Sequence, residues 1–189
     1  MSELNYYTGT MSSGKSTALL QHVYNLRLRG FDVIVLSSSL DDRYGVGKIT
    51  SRIGIETQAT VIPPDDESVL AMVDGMVSSC KGCYQAIFVD ECQFLSAKQV
   101  DILSDIVDNH DVDVFCYGIK VDFSSKLFDG SKRLLEIADA IHALPNICKC
   151  GKPAILNARL IDSTDTVLIG GNDVYDSMCR KCYKEHQQR

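Results

Sequence analysis

The sequence predicts an α/β protein in which helices flank a parallel β-sheet, followed by a small C-terminal unit. Short runs rich in β-branched residues alternate with segments of helical periodicity up to about residue 145, which is typical of a parallel sheet with crossover helices. Beyond Pro145 this alternation stops, and cysteines, glycines and short strands take over. We therefore predict two domains, residues 1–145 and residues 146–189.

Length and composition limit the classes of protein to consider. The 189 residues are 45% hydrophobic and 23% charged, which suits one substantial core with room for a small appendage. A net charge of -6 argues against a large nucleic-acid-binding surface, which would need clustered basic residues. Neither a signal peptide nor an apolar run of the ~20 residues that span a membrane is visible. We therefore expect a cytoplasmic protein whose eight cysteines are reduced or bind metal, rather than a secreted disulfide scaffold.

The elements of the larger domain are predicted from their individual patterns. Apolar, β-branched segments predict strands, and apolar residues spaced three and four positions apart predict helices. Ser96 fits a helix N-cap, and the acidic start of the second helix suits the helix dipole. The polar, glycine-containing residues 41–56 predict a loop with a short hairpin. The predicted strands are residues 4–9, 32–39, 85–91 and 112–119, and the predicted helices are residues 15–30, 65–77, 96–110 and 131–144.

The first strand leads into GTMSSGKS, which fits the P-loop pattern of a glycine, four residues and Gly-Lys-Ser. Gly9 and Gly14 let the backbone curl so that its N–H groups point at phosphate oxygens. Lys15 then reaches the β- and γ-phosphates, and the Ser16 hydroxyl binds Mg²⁺. The alternative, a flexible Gly/Ser turn, is disfavoured because a strand precedes the motif and a helix follows it. The predicted phosphate-binding residues are Gly9, Thr10, Met11, Ser12, Ser13, Gly14, Lys15 and Ser16.

Two carboxylates, Asp90 and Glu91, end the apolar run IFVDE. In a P-loop site, an aspartate at the end of a strand anchors the Mg²⁺ ion, which is the role predicted for Asp90. Glu91 then points beyond the metal, where a base could take a proton from an attacking hydroxyl or water. The alternative is a pair of solvated carboxylates at a strand exit, which the neighbouring P-loop makes the weaker interpretation.

Four cysteines near the C-terminus predict a tetrahedral zinc site. Cys148 and Cys150 form one close pair, and Cys179 and Cys182 form the other. The first pair is one residue shorter than the usual spacing, and Gly151 after it could turn backbone N–H groups toward sulfur. A competing pair, Cys80 and Cys83, lies between a helix and a strand and fits core packing instead. Cys92 and Cys116 fit the core as well. His186 could substitute as a ligand, but we predict that it extends freely in the polar tail.

The predicted zinc would tie together the ends of the loop between Cys150 and Cys179. This region is too small for a hydrophobic core of its own, so a metal would contribute to its folding. The loop contains TVLIGGND and Tyr175. Its glycines permit close approach of a ligand to the backbone, which suits a loop that recognises a ligand through bare N–H and C=O groups.

Five segments in this order, GTMSSGKST, DDRYG, FVDECQFL, CYGIKVDF and IGGNDVYDSMCRKCY, resemble the zinc-containing thymidine kinases of the cellular and bacterial type. The resemblance runs from the first strand to about Tyr183. It implies a RecA-like P-loop sheet in residues 1–145 and a zinc-stapled lasso in residues 146–189 that closes over the nucleoside. It also implies transfer of the γ-phosphoryl of ATP to the 5′-hydroxyl of thymidine or deoxyuridine, giving dTMP in nucleotide salvage for DNA synthesis. The implied assembly is a homotetramer, with dTTP as feedback inhibitor.

The resemblance implies roles for residues at the matching positions. The general base falls on Glu91, and the Mg²⁺-linked aspartate falls on Asp90. A phosphate-side arginine falls on Arg43, with Asp41 beside it. Phe94 matches the aromatic residue that packs on thymine. The implied nucleoside contacts in the lasso are Val167, Ile169, Gly170, Gly171 and Tyr175.

The first cysteine pair departs from the spacing that many family members show. Many members of the family carry Cys-x-x-Cys where this chain has CKC, although some bacterial members share the shorter form, so the status of Cys148 as a full zinc ligand is open. Two rival classes fit less well. An ATPase that grips nucleic acid would need a basic stripe, and a zinc-containing interaction module would not need Lys15, Asp90 and Glu91 together.

Overall fold

The computed structural model describes residues 2–38, 47–79, 85–161 and 174–188. The helices are α1 (Lys15–Leu28), α2 (Asp66–Ser79), α3 (Ala97–His110), α4 (Asp129–Ile137) and α5 (Arg180–Gln187), and a short 3₁₀ helix spans Cys92–Phe94. The strands are β1 (Leu4–Thr8), β2 (Asp32–Ser38), β3 (Lys48–Thr50), β4 (Glu56–Gln58), β5 (Thr60–Ile62), β6 (Gln85–Asp90), β7 (Asp113–Gly118), β8 (Ala140–Ala143), β9 (Leu156–Arg159) and β10 (Tyr175–Met178).

A six-stranded sheet in the order β5-β2-β6-β7-β1-β8 forms the centre of the molecule. Each of its pairings is parallel, so the carboxyl ends of all six strands meet at one edge. The predicted α/β fold with a parallel sheet and flanking helices is therefore confirmed. The predicted short hairpin is also present, formed by the antiparallel strands β3 and β4.

Helices cover both faces of this sheet, which explains why its central strands are apolar throughout. Side chains alternate between the two faces of a strand. In β6, Ile87 and Val89 join a core cluster with residues of α2, α3 and α4, whereas Ala86 and Phe88 join a second cluster with residues of α1. Cys92 and Cys116 lie fully buried, as predicted for core residues.

Helix α3 begins where the sequence predicts it to begin. The Ser96 hydroxyl accepts a hydrogen bond from the Gln99 backbone N–H at 3.0 Å. The Gln99 side-chain oxygen in turn accepts from the Ser96 backbone N–H at 3.1 Å, which completes a capping box.

The predicted helix over residues 131–144 is wrong in its second half. Helix α4 ends at Ile137, and β8 follows at the edge of the sheet, parallel to β1. Asp139 fixes this change, because its carboxylate accepts from the Leu4 N–H at 2.8 Å and its own N–H donates to the Leu4 carbonyl at 2.9 Å. Pairing with β1 thus outweighs the local helical periodicity, a tertiary effect that spacing alone does not reveal.

The part of the chain after Pro145, called the C-terminal unit below, contains two strands and a short helix. Strands β9 and β10 pair antiparallel, and α5 follows them. A small core of Cys148, Ala154 and Cys179 lies beside them. The division into residues 1–145 and 146–189 stays a prediction. Within the described residues, no helix is both long and apolar enough to cross a membrane.

Candidate active site and tetracysteine site

The loop between β1 and α1 has the shape of a phosphate cradle. Gly14 has a φ of 81° and Ser12 a φ of 61°, both in the left-handed region. Such reversals turn successive N–H groups toward one point, where an anion can bind. Lys15 is buried, and its ammonium group donates to the Thr10 carbonyl at 2.8 Å, so the side chain lies folded over the loop.

Gly9 occupies a position that admits no side chain. A Cβ there would lie 2.4 Å from the Ser13 Oγ and 2.9 Å from the Leu144 carbonyl oxygen. The first glycine of the motif is therefore required by close packing of the loop against the segment after β8.

Asp90, at the carboxyl end of β6, lies beside the cradle. Its Oδ2 accepts a hydrogen bond from the Ser16 Oγ at 3.0 Å, which brings the two predicted Mg²⁺-linked residues together. Burial, followed by the Glu91 carboxylate, raises the pKa of Asp90 to about 7. A hydroxyl and a buried carboxylate side by side are oxygen donors of the kind Mg²⁺ uses at nucleotide phosphates, so these residues fit a magnesium ion bound with a nucleotide.

Glu91 is held in place by a side chain that the sequence analysis did not single out. The Gln93 side-chain amide donates to Glu91 Oε2 at 2.6 Å, and its oxygen accepts from the Ile119 backbone N–H at 3.1 Å. Gln93 is buried, and a Cβ at Gly118 would come within 2.6 Å of its oxygen. Glu91 itself has a φ of 52°, a backbone strain typical of functional positions. The carboxylate is thus fixed next to the cradle.

Phe94, predicted to pack on the base, and Tyr175, predicted to contact the nucleoside, lie in aromatic surroundings. Phe94 packs edge-on against Phe128, with ring centroids 5.9 Å apart. The Tyr175 hydroxyl accepts from an Arg159 guanidinium nitrogen at 2.9 Å, and this guanidinium lies 3.7 Å from the centre of the Phe123 ring. Arg159 is a residue that the sequence analysis missed, because its link to Tyr175 arises from their pairing across β9 and β10.

The four late cysteines converge, as predicted. Their sulfur atoms all lie within 4.8 Å of one another, with Cys150 and Cys179 sulfurs 3.6 Å apart. A tetrahedral zinc ion with Zn–S bonds of about 2.3 Å separates its sulfurs by roughly 3.8 Å, so the cluster fits such an ion. Cys148 takes part despite the short spacing of the first pair.

Backbone amides stabilise thiolates in this cluster. The N–H of Cys182 lowers the pKa of the Cys179 thiol to about 6, and the N–H of Cys150 is the first cause of the lowered pKa of Cys148. Hydrogen bonds with the other sulfurs raise the pKa of Cys182 to about 12. The expected role of Gly151 agrees with this arrangement. Gly151 has a φ of 81° and its N–H donates to the Cys148 carbonyl at 2.8 Å, which closes a tight turn beside the Cys150 N–H that bonds to the Cys148 sulfur.

His186 is not part of the cluster, yet it does not lie free in the tail. Its Nε2 lies 2.7 Å from the Arg159 carbonyl oxygen, so α5 is tied to the end of β9. The prediction of a dangling polar residue is therefore wrong. Several predicted positions lie outside the described residues: Asp41, Arg43, Cys80, Cys83, Val167, Ile169, Gly170 and Gly171.

The fold and site together define a P-loop nucleotide-binding protein with a carboxylate pair beside its phosphate cradle and a cluster of four cysteines that could hold a metal ion. A family model described as "Thymidine kinase" matches residues 2–183 of the chain. The chain belongs to the thymidine kinase family.

Individual proteins agree with this assignment. The chain is 44% identical to a thymidine kinase of Shewanella oneidensis, with 98% of each chain covered. It is 41% identical to one of Vibrio cholerae, again over 98% of both chains. It is 43% identical to one of Haemophilus influenzae, over 98% of this chain and 97% of that protein. Among solved structures, the Pif1 helicase of Candida albicans gives a TM-score of 0.48 at 15% identity over 76% of this chain and 36% of that one, too distant to indicate function.

Proposed function

We propose that this protein transfers the γ-phosphoryl group of ATP to the 5′-hydroxyl of thymidine or deoxyuridine, which gives ADP and, from thymidine, dTMP for DNA synthesis by salvage. Similarity to thymidine kinases over 98% of the chain supports the substrates. The observation that carries the reaction is a glutamate carboxylate, Glu91, fixed by Gln93 next to the Asp90–Ser16 pair of a phosphate cradle.

Phosphoryl transfer depends on positioning and on neutralising charge rather than on covalent catalysis. The loop amides and the positive end of α1 face the phosphates, and Lys15 adds a full positive charge. Mg²⁺ bound with ATP would neutralise charge on the β- and γ-phosphate oxygens, with Ser16 and Asp90 as the residues that hold it. Arg43, with Asp41 beside it, would supply positive charge near the phosphates. This role rests on the family resemblance.

Glu91 is proposed as the general base. Its carboxylate accepts the proton of the nucleoside 5′-hydroxyl as that oxygen forms a bond to the γ-phosphorus and the bond from phosphorus to the ADP oxygen breaks. Gln93 supports this role, because it donates to one carboxylate oxygen and so orients the other toward an incoming hydroxyl. Phe94, three residues further on, would offer its ring to the pyrimidine.

The remaining nucleoside contacts are assigned to the lasso between β9 and β10. Tyr175 would pack against the nucleoside or brace the closed loop, and its bond from Arg159 supports a fixed orientation of the ring. Val167, Ile169, Gly170 and Gly171 belong to this proposal through the resemblance. Backbone recognition by glycines would demand fixed loop ends, which the tetracysteine site can supply.

Zinc is proposed as the metal of that site, in a structural role. Four sulfur ligands and no open position are typical of structural rather than catalytic zinc. The homotetramer, inhibition by dTTP and a cytoplasmic location complete the proposal. The first two rest on the family, and the third agrees with a reduced four-thiol cluster.

A labelled phosphoryl-transfer assay tests the function. Purified enzyme with MgATP should phosphorylate thymidine and deoxyuridine but not purine nucleosides, and dTTP should suppress the reaction. Light scattering with metal analysis should give a tetramer with one zinc per chain. ATP hydrolysis stimulated by single-stranded DNA, with no nucleoside product, would replace the proposal by a nucleic-acid-dependent ATPase.

A further inference from the structure

The backbone of Met11, inside the phosphate loop, is held by three side chains from the C-terminal unit. The Asn157 side-chain oxygen accepts from the Met11 N–H at 2.8 Å. The Met11 carbonyl accepts from the Ser177 hydroxyl at 2.7 Å and from the Asn146 side-chain amide at 2.9 Å. Asn146 also donates to the Thr10 hydroxyl at 3.0 Å. The clamp, meaning Asn146, Asn157 and Ser177, therefore saturates both polar backbone groups of one loop residue.

These hydrogen bonds lie next to a residue of the loop that has a strained backbone conformation. The next residue, Ser12, has a φ of 61°, a left-handed conformation that costs a non-glycine residue roughly 1–2 kcal/mol. Such a conformation persists only where its surroundings over-determine it. Because the Met11 N–H is engaged by Asn157, it does not face the phosphate position. The clamp thus sets the point at which the loop reverses and its following N–H groups turn inward.

Two residues of the clamp lie between the cysteine cluster and the proposed lasso. Asn157 and Ser177 face each other across β9 and β10 and are 3% and 8% exposed. One end of this strand pair continues into the cysteine cluster, and the other continues into residues 160–174, the proposed lasso. One cross-strand pair of the hairpin, Asn157 and Ser177, is therefore hydrogen-bonded to the phosphate loop. One end of the same hairpin leads to the cysteine cluster, and the other end leads to the proposed nucleoside loop.

We propose that Asn157 and Ser177 are positioning residues that hold the phosphate loop in its nucleotide-binding conformation, so that ATP affinity depends on the fold of the C-terminal hairpin. This inference rests on the proposed use of the loop for ATP. Simple packing of the C-terminal unit onto the sheet is the competing explanation. Packing alone would make the bonds matter for stability but would leave nucleotide affinity unchanged in enzyme that stays folded.

The test measures MgADP binding by calorimetry in the absence of nucleoside, on full-length, zinc-containing enzyme. The variant N157L/S177A removes both bonds while nearly preserving volume. We expect the MgADP dissociation constant to rise about 10-fold. The substitutions leave the partly buried Met11 N–H without its Asn157 partner and weaken the bonding of the Met11 carbonyl, which disfavours the binding conformation. The thymidine dissociation constant, measured without nucleotide, should change less than about 2-fold. Ser177→Thr, which keeps the hydroxyl, should bind MgADP like the wild type.

Tyr183→Phe is the matched control. The Tyr183 hydroxyl donates to the Phe123 carbonyl, which also ties the C-terminal unit to the rest of the chain, but at a residue outside the phosphate loop. Its MgADP affinity should stay at the wild-type value. Unchanged MgADP binding in N157L/S177A would overturn the inference, as would equal weakening in Tyr183→Phe or parallel loss of thymidine binding. Wild-type enzyme that binds MgADP but does not phosphorylate thymidine would refute the proposed function and leave this inference standing.

Discussion

The two chemical sites of this molecule are stabilised in different ways. The phosphate cradle lies at the carboxyl edge of a six-stranded sheet whose two faces are both buried by helices. The tetracysteine site lies beside a two-stranded hairpin with a core of only a few side chains, Cys148, Ala154 and Cys179 among the buried ones. Apolar burial can therefore hold the first site in place, whereas the second has little apolar burial, and a metal ion bound by its four cysteines would add a crosslink.

Because of this difference, substitutions at the two sites should have different effects on activity and on folding. Changes at the cradle should remove activity and leave the fold intact, because the sheet does not depend on the charged groups at its edge. Changes at the cysteines should unfold the tail first and reduce activity as a consequence.

Lys15→Ala should have the largest effect on the reaction. Without this cation the charge on the transferring phosphoryl group is poorly neutralised, and we expect turnover to fall by more than about 10⁴-fold. Zinc content and the thermal unfolding temperature should match those of the wild type. Near-normal turnover in this variant would contradict the assignment of residues 9–16 as a P-loop.

Glu91→Gln sharpens the assignment at the same edge of the sheet. Glutamine keeps the size of glutamate and can still bond to Gln93, but it cannot accept the hydroxyl proton. Turnover should fall about 10²–10⁴-fold, with MgATP affinity close to that of the wild type. A collapse of MgATP affinity would place Glu91 at the metal instead of at the hydroxyl.

Cys182→Ser tests the other side of the comparison. With three thiolates left, the protein should lose its zinc, and the tail should become sensitive to protease while the larger domain resists digestion. Metal analysis and limited proteolysis measure both effects. Cys80→Ser is the matched control and should retain one zinc per chain. Loss of zinc from this variant would show that the competing pair, Cys80 and Cys83, binds the metal.

Ser96→Ala should have the smallest effect, and only on stability. The substitution removes the N-cap of α3, so the free energy of unfolding should fall by about 1 kcal/mol, as measured by denaturant titration. Asp105→Ala, at an exposed position inside the same helix, should change it by less than about 0.5 kcal/mol. Neither variant should alter kcat, and a lower kcat in Ser96→Ala would show that α3 influences the active site.

Local pattern was sufficient for much of this molecule. The strand–loop–helix order, the phosphate loop, the carboxylates at the end of β6 and the N-cap at Ser96 can all be read from spacing, because each depends on neighbours a few residues apart. The late cysteines could be assigned to one cluster for a related reason: few arrangements of close cysteine pairs satisfy a tetrahedral ion.

Tertiary structure decided what depends on distant partners. Residues 140–143 form a strand because β1 offers them backbone partners, although their sequence continues a helical pattern. Gln93 orients Glu91 through the Ile119 backbone, 26 residues away. Asn157 and Ser177 hold Met11 across separations of 146 and 166 residues. Such hydrogen bonds have no period in the sequence, because they arise only when the sheet and the hairpin are folded against each other.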